Sequence, residues 1–137
     1  MRRKRLWSVV AVLALAACAA ADETPATTTV DLSGKWSGCW RSDKNGHHGK
    51  MTASFCRIDD CSYRGTFVGT FWKVFPFFYT ETFTITAYSN DQVWVSASKV
   101  LGPRLGRFDV HATATATHFT ATFQSSRDWG VFLLERK

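Results

Sequence analysis

Beyond its first 21 residues this 137-residue chain has no stretch with apolar residues at helical spacing, which excludes a helical bundle as its plan. It has no Gly-x-Ser-x-Gly, no His-Glu-x-x-His and no glycine-rich phosphate loop, so no catalytic residue is assigned and neither an enzyme nor a cofactor is expected. It also lacks a basic stripe. Of 17 basic residues, Arg2, Arg3, Lys4 and Arg5 stand together at the N-terminus, and without those four the balance is 13 basic against 11 acidic. A surface so nearly neutral is not built to neutralise phosphates, so nucleic acid is not an expected partner.

What is present at the N-terminus reads as an export signal. The four basic residues precede an apolar run of 12 residues, Leu6 to Ala17, too short to span a hydrocarbon core of about 30 Å. The run ends in Leu15-Ala16-Ala17-Cys18, which resembles the bacterial lipobox. That resemblance implies cleavage before Cys18 and attachment of lipid, palmitate included, to this cysteine, so that the membrane is a partner through the N-terminal lipid. Ala19 rather than Asp follows it, which in bacteria that sort lipoproteins by this residue implies the outer membrane, with the domain facing the periplasm. The alternative is cleavage within Ala19-Ala20-Ala21, giving a secreted soluble protein. The expected organisation is a signal peptide over 1–17, a lipidated cysteine and small, polar, flexible tether over 18–30, and one domain over 31–137.

The domain alternates with period two between turn residues. Eight strands are expected, over 34–41, 50–57, 61–71, 77–88, 92–99, 105–115, 119–125 and 130–136. Short turn-like links between them predict an all-β, up-and-down antiparallel meander, closed or nearly closed into a barrel. Phe108, Val110, Ala112 and Ala114 share one face of the sixth strand, and Phe119, Ala121 and Phe123 one face of the seventh. Thr80, Thr82, Thr84 and Thr86 face outward on the fourth, opposite Tyr79, Phe83 and Ile85. Small alanines beside large aromatics suit a barrel interior.

Eight of the chain's 20 aromatic residues lie between Gly65 and Ile85. This stretch is expected to form two core strands joined at Pro76. Phe77 and Phe78 are consecutive, so strict alternation cannot bury both, and Trp72, Phe75, Phe77 and Phe78 make a candidate contact corner for a membrane or another protein.

Asp31-Leu32-Ser33-Gly34-Lys35-Trp36 resembles the Gly-x-Trp opening of the calycin-type barrels, the lipocalins and avidins. The resemblance implies a Trp36 that plugs the barrel floor, with Gly38 and Trp40 on the same face. The chain lacks their helix before the last strand and avidin's set of ligand contacts, so no ligand is carried over. Nearly the whole domain is similar to small uncharacterised secreted or lipid-anchored bacterial proteins, through Gly46-His47-His48-Gly49, the segment from Phe71 to Phe77, Leu101-Gly102, Gly106-Arg107-Phe108 and the closing Gly130-Val131-Phe132-Leu133-Leu134. This likeness implies a compartment and a fold, and no activity.

Cysteines, histidines and one carboxylate remain. A hairpin centred between Ile58 and Asp59 sets Cys56 opposite Cys61, which predicts a cross-strand disulfide, and leaves Cys39 as a buried, unpaired thiol. His47 and His48 are weak metal candidates. Adjacent residues of an extended backbone point apart, and roughly 25 Å at about 3.3 Å per residue separates them from the cysteines, so no metal site is assigned. His111 and His118 fall on the outer face. Glu81 is the carboxylate that alternation turns inward, between Tyr79 and Phe83, as a polar anchor for a ligand unless a bulge after Pro76 turns it out or an arginine pairs it. The reading that follows is a lipid-anchored envelope barrel holding a small apolar or amphipathic ligand among Trp36, Phe67, Tyr79, Phe83 and Phe108. Its rival is a structural or interaction lipoprotein with a filled core. Oligomeric state is not readable from the sequence.

Overall fold

Period-two alternation yields eight antiparallel strands: β1 (Gly34–Ser42), β2 (His48–Asp59), β3 (Ser62–Phe71), β4 (Phe75–Tyr88), β5 (Val93–Val100), β6 (Arg107–Ala114), β7 (His118–Gln124) and β8 (Trp129–Arg136). The computed structural model describes residues 30–71, 75–103 and 106–137, with Phe71 and Phe75 by backbone alone. Each strand pairs with its sequence neighbour, and β8 returns to β1, Trp36 opposite Arg136 and Trp40 opposite Phe132, so the barrel is closed. Closure removes the free edges that a sheet with a threonine-covered outer face would otherwise present.

The inward face carries the aromatics and the outward face the threonines, as alternation predicts. Trp36, Phe67, Phe83 and Phe119 are fully buried, whereas Thr82, Thr84 and Thr86 are exposed. So many rings fit because β3 alternates Gly65, Phe67 and Gly69 on the inward side. A Cβ on Gly69 would lie 2.5 Å from the Phe77 ring and one on Gly65 2.8 Å from the Phe55 ring, so each ring rests on glycine backbone.

The floor is the end where β1 begins and β8 finishes. Leu32 is fully buried there, and Val30, which the sequence reading leaves in the tether, is buried beside it in the chain. The Trp36 Nε1–H donates to the Leu32 carbonyl at 2.9 Å. The Arg136 guanidinium lies 4.4 Å from the centre of the Trp36 ring. It also donates to the carbonyls of Ser33 and Ala116, each at 2.8 Å, and of Asp31 at 2.5 Å.

Three sequence expectations are corrected. Cys56 does not bridge to Cys61. It is an exposed free thiol opposite Arg64, because the hairpin turns at Asp60 and Cys61, two residues later than expected, with Asp59 opposite Ser62. Arg57 donates to the carbonyls of Asp59 and Asp60, and the Asp59 carboxylate accepts from the Cys61 N–H and the Ser62 hydroxyl, which together hold the shifted turn. Cys39 is exposed rather than buried, since inward Gly38 and Trp40 flank it. Pro76 does not separate β3 from β4. It lies inside β4, opposite Thr70, with no bulge along that ladder.

Pro76 is tolerated because of a second irregularity. Pairing between β4 and β5 covers residues 84–88 and 93–96, with a bulge between Ile85 and Ala87. Among the described residues no backbone pair continues that ladder toward Phe75 and Val100, although β5 stays paired to β6 as far as Val100. Proline's missing N–H therefore costs no bond on the β5 side. The Lys99 ammonium crosses the seam instead, donating to the Thr80 carbonyl at 3.1 Å.

Candidate functional site

The end opposite the floor holds a cavity of about 180 Å³. Trp40 of β1, Met51 of β2, Phe77 and Tyr79 of β4, Phe108 of β6, and Phe123 and Phe132 near the β7–β8 turn form its apolar wall. Asp128 is the one charged residue among the described lining residues. It is already committed, accepting from the Ser42 hydroxyl at 2.5 Å and from the Trp129 N–H at 2.9 Å.

The rings around this space pack against one another rather than across it. Phe123 stacks on Phe132 at 5.1 Å and on Phe108 at 5.8 Å, and Phe108 meets Tyr79 edge-on at 5.1 Å. Trp40 meets Phe77 edge-on at 6.0 Å, while its Nε1–H donates to the Thr70 carbonyl at 3.1 Å. That bond satisfies the indole and leaves an apolar face.

Toward the floor the interior is full. Phe55, Phe67, Phe83 and Phe119 meet one another at centroid distances from 5.2 to 6.4 Å. The ligand residues read from the sequence therefore divide. Tyr79, Phe108 and Phe77 line the cavity, whereas Trp36, Phe67 and Phe83 are packed core beneath it. Phe78 points outward, 71 % exposed, beside Val68. Trp72 lies outside the described residues, as does the side chain of Phe75, and Cys18 with the export signal does too. Sequence reasoning missed Met51, Phe123 and Phe132 as lining residues. They sit on the inward face near the strand ends opposite the floor, a signal that alternation plus register contains.

Glu81 faces inward and is only 6 % exposed. Among the described residues neither the bulge nor the arginine that the sequence left open occurs; its partner is the Tyr79 hydroxyl, which donates to Oε1. Burial pushes the Glu81 carboxyl above the usual carboxylate range, opposed by the Tyr79 hydrogen bond and the Lys99 charge. Burial, then the hydrogen bond to Glu81, also raise the Tyr79 hydroxyl far above its ordinary value, so it remains protonated and donates. The Lys99 ammonium stands 5.7 Å from the centre of the Tyr79 ring. His47, His48, His111 and His118 are exposed, and among the described residues no group of three or more metal-ligating side chains gathers.

Neither a family model nor a curated protein matches the chain. Two solved structures are similar to it, a redesigned β-barrel, mFAP1, bound to DFHBI, and EF1p2_mFAP2b bound to DFHBI. Each is 17 % identical and covers 77 % of this chain and 94 % of its own, with TM-scores of 0.54 and 0.55. At that identity the likeness establishes a shared barrel fold.

Proposed function

We propose that this protein is an exported, lipid-anchored β-barrel that holds a small apolar or amphipathic ligand at the end of the barrel away from its floor. The observation that carries the reading is the apolar cavity of about 180 Å³ above a fully packed floor. An apolar cavity of about 150 Å³ stays dry and binds benzene, so this space suits a ligand with one aromatic ring or a short branched chain. The two similar barrels, each bound to DFHBI, are consistent with room for a small molecule in a barrel of this architecture. The basic N-terminus, the short apolar run and Cys18 support export, lipidation and an outer-membrane position facing the periplasm. The Gly-x-Trp opening and the Trp36 floor support a calycin-like relationship.

Titration of the full chain with ethylbenzene, followed by tryptophan emission and melting temperature, tests the cavity. Saturable quenching with a rise in melting temperature is expected, and no response at ligand saturation would refute binding. Labelling with palmitate in the wild type and in the Cys18→Ser form tests the anchor, since label retained in the variant would place the lipid elsewhere and no label in the wild type would mean no lipid.

A second reading rests on the outward, largely exposed Phe78 beside Val68. It makes that outer wall a contact for a membrane or protein. Vesicle flotation of Cys18→Ser with and without Phe78→Ser separates this role from the lipid's.

A further inference from the structure

We infer that the cavity selects an organic ammonium, an aromatic or compact apolar body carrying one protonated amine, and that Tyr79 backed by Glu81 is the group that selects it. This inference rests on the proposed cavity ligand and narrows its chemistry.

Four observations lead to it. Glu81 is more than nine-tenths buried, no cation lies within ion-pair distance among the described residues, and its one hydrogen bond comes from Tyr79. A carboxyl so placed has been stripped of water with acceptor capacity left over, which is costly unless a donor or a positive charge arrives. Second, the Tyr79 proton is committed to Glu81, and Tyr79 is one of the residues that line the cavity. A phenol that already donates has only acceptor capacity left for a ligand, and a carboxyl behind it makes that oxygen a stronger acceptor. A ligand N–H fits that oxygen; a carboxylate or ketone does not.

Third, the wall is made of aromatic faces, the surroundings that attract an ammonium through the ring quadrupole. The protein already shows this at Tyr79, where the Lys99 ammonium stands 5.7 Å from the ring centre. Fourth, the charged residue in the described cavity wall is a carboxylate. Among the described residues the charged groups that act on Glu81 and Tyr79 are Lys99 from β5 and Asp109 from β6, and the charged group in the cavity wall is Asp128. Lys99 is exposed and spent on the Thr80 carbonyl at the seam, and Asp109 pairs with Arg107 at 3.4 Å, which leaves Asp128 as the charge of the described wall.

Benzylamine, ethylbenzene and benzoate, similar in size and differing in charge, test the inference on the full chain at neutral pH through tryptophan emission. Benzylamine is expected to bind at least tenfold more tightly than either, and Glu81→Gln to remove that preference while ethylbenzene binding persists. Equal affinities for benzylamine and ethylbenzene, or a preference that survives Glu81→Gln, would overturn the ammonium inference and leave the apolar ligand standing. Failure of all three probes would overturn both. If Glu81→Gln does not fold, Lys99→Met decides. Loss of the resident ammonium is expected to tighten benzylamine binding threefold or more, and unchanged or weaker binding overturns the inference.

Discussion

The two ends of the barrel interior use the same materials and reach opposite results. Toward the floor, Trp36, Phe55, Phe67, Phe83 and Phe119 interlock and Arg136 covers Trp36 from outside. At the other end Trp40, Phe77, Tyr79, Phe108, Phe123 and Phe132 pack edge to edge around a space of about 180 Å³. The difference is not aromatic content. Near the floor, extra chain fills the centre, because Val30 and Leu32 enter the barrel ahead of β1. At the cavity end the described segments contribute no such plug, and the β4–β5 ladder stops at Thr84 and Ser96. An aromatic-rich interior is therefore full or hollow according to what reaches its axis.

The largest effect expected is at the packed end. Phe67→Ala should cost about 3–5 kcal/mol in urea unfolding, and Phe123→Ala at the cavity wall at least about 1 kcal/mol less, because fewer neighbours lose contact around an existing void. Equal losses would break the distinction between the two ends. Arg136→Ala comes next, at about 2–3 kcal/mol, since charged hydrogen bonds to three carbonyls and the cover over Trp36 go together. Its ethylbenzene affinity should not change, and a change would mean that the floor and cavity are coupled.

Met51→Phe should alter stability by no more than about 1 kcal/mol, because the added ring enters space already present. Ethylbenzene binding should fall more than tenfold, and undiminished binding would move the ligand out of the cavity. The smallest effect concerns Glu81 and pH. A carboxyl whose pKa is higher in the folded than in the unfolded chain holds its proton longer when folded. Its contribution is complete below the ordinary glutamate range and is lost as pH rises through the raised value. Urea midpoints measured across that window should decline in the wild type and flatten in Glu81→Gln. A wild-type profile that rises instead would reverse the assignment of burial as the dominant influence on Glu81.

Much of this was legible from period two alone. Alternation placed Phe108, Val110, Ala112 and Ala114 inside β6 and turned Glu81 inward, because side chains on a pleated strand have only two directions. The cysteine pairing failed for a reason that alternation does not carry. Cys56 meets Arg64 because the turn, held by Arg57 and Asp59, falls at Asp60 and Cys61 rather than between Ile58 and Asp59, and a turn moved two residues along changes partners without disturbing the apolar pattern on either strand. Cys39 was misread for a simpler reason, as a cysteine between inward Gly38 and Trp40 has to face out. Trp36, Phe67 and Phe83 were rightly placed inside, but their height along the barrel axis separates core from cavity wall.

By itself the sequence determined the number of strands, the face each residue presents and the up-and-down order, since all three follow from local alternation and short links. Tertiary structure alone decided that β8 closes on β1, that β4 and β5 part beyond Thr84, and that the space left at one end is hollow. Closure, seam and void depend on how far strands from opposite sides of a barrel stand from a common axis. No single strand encodes that distance.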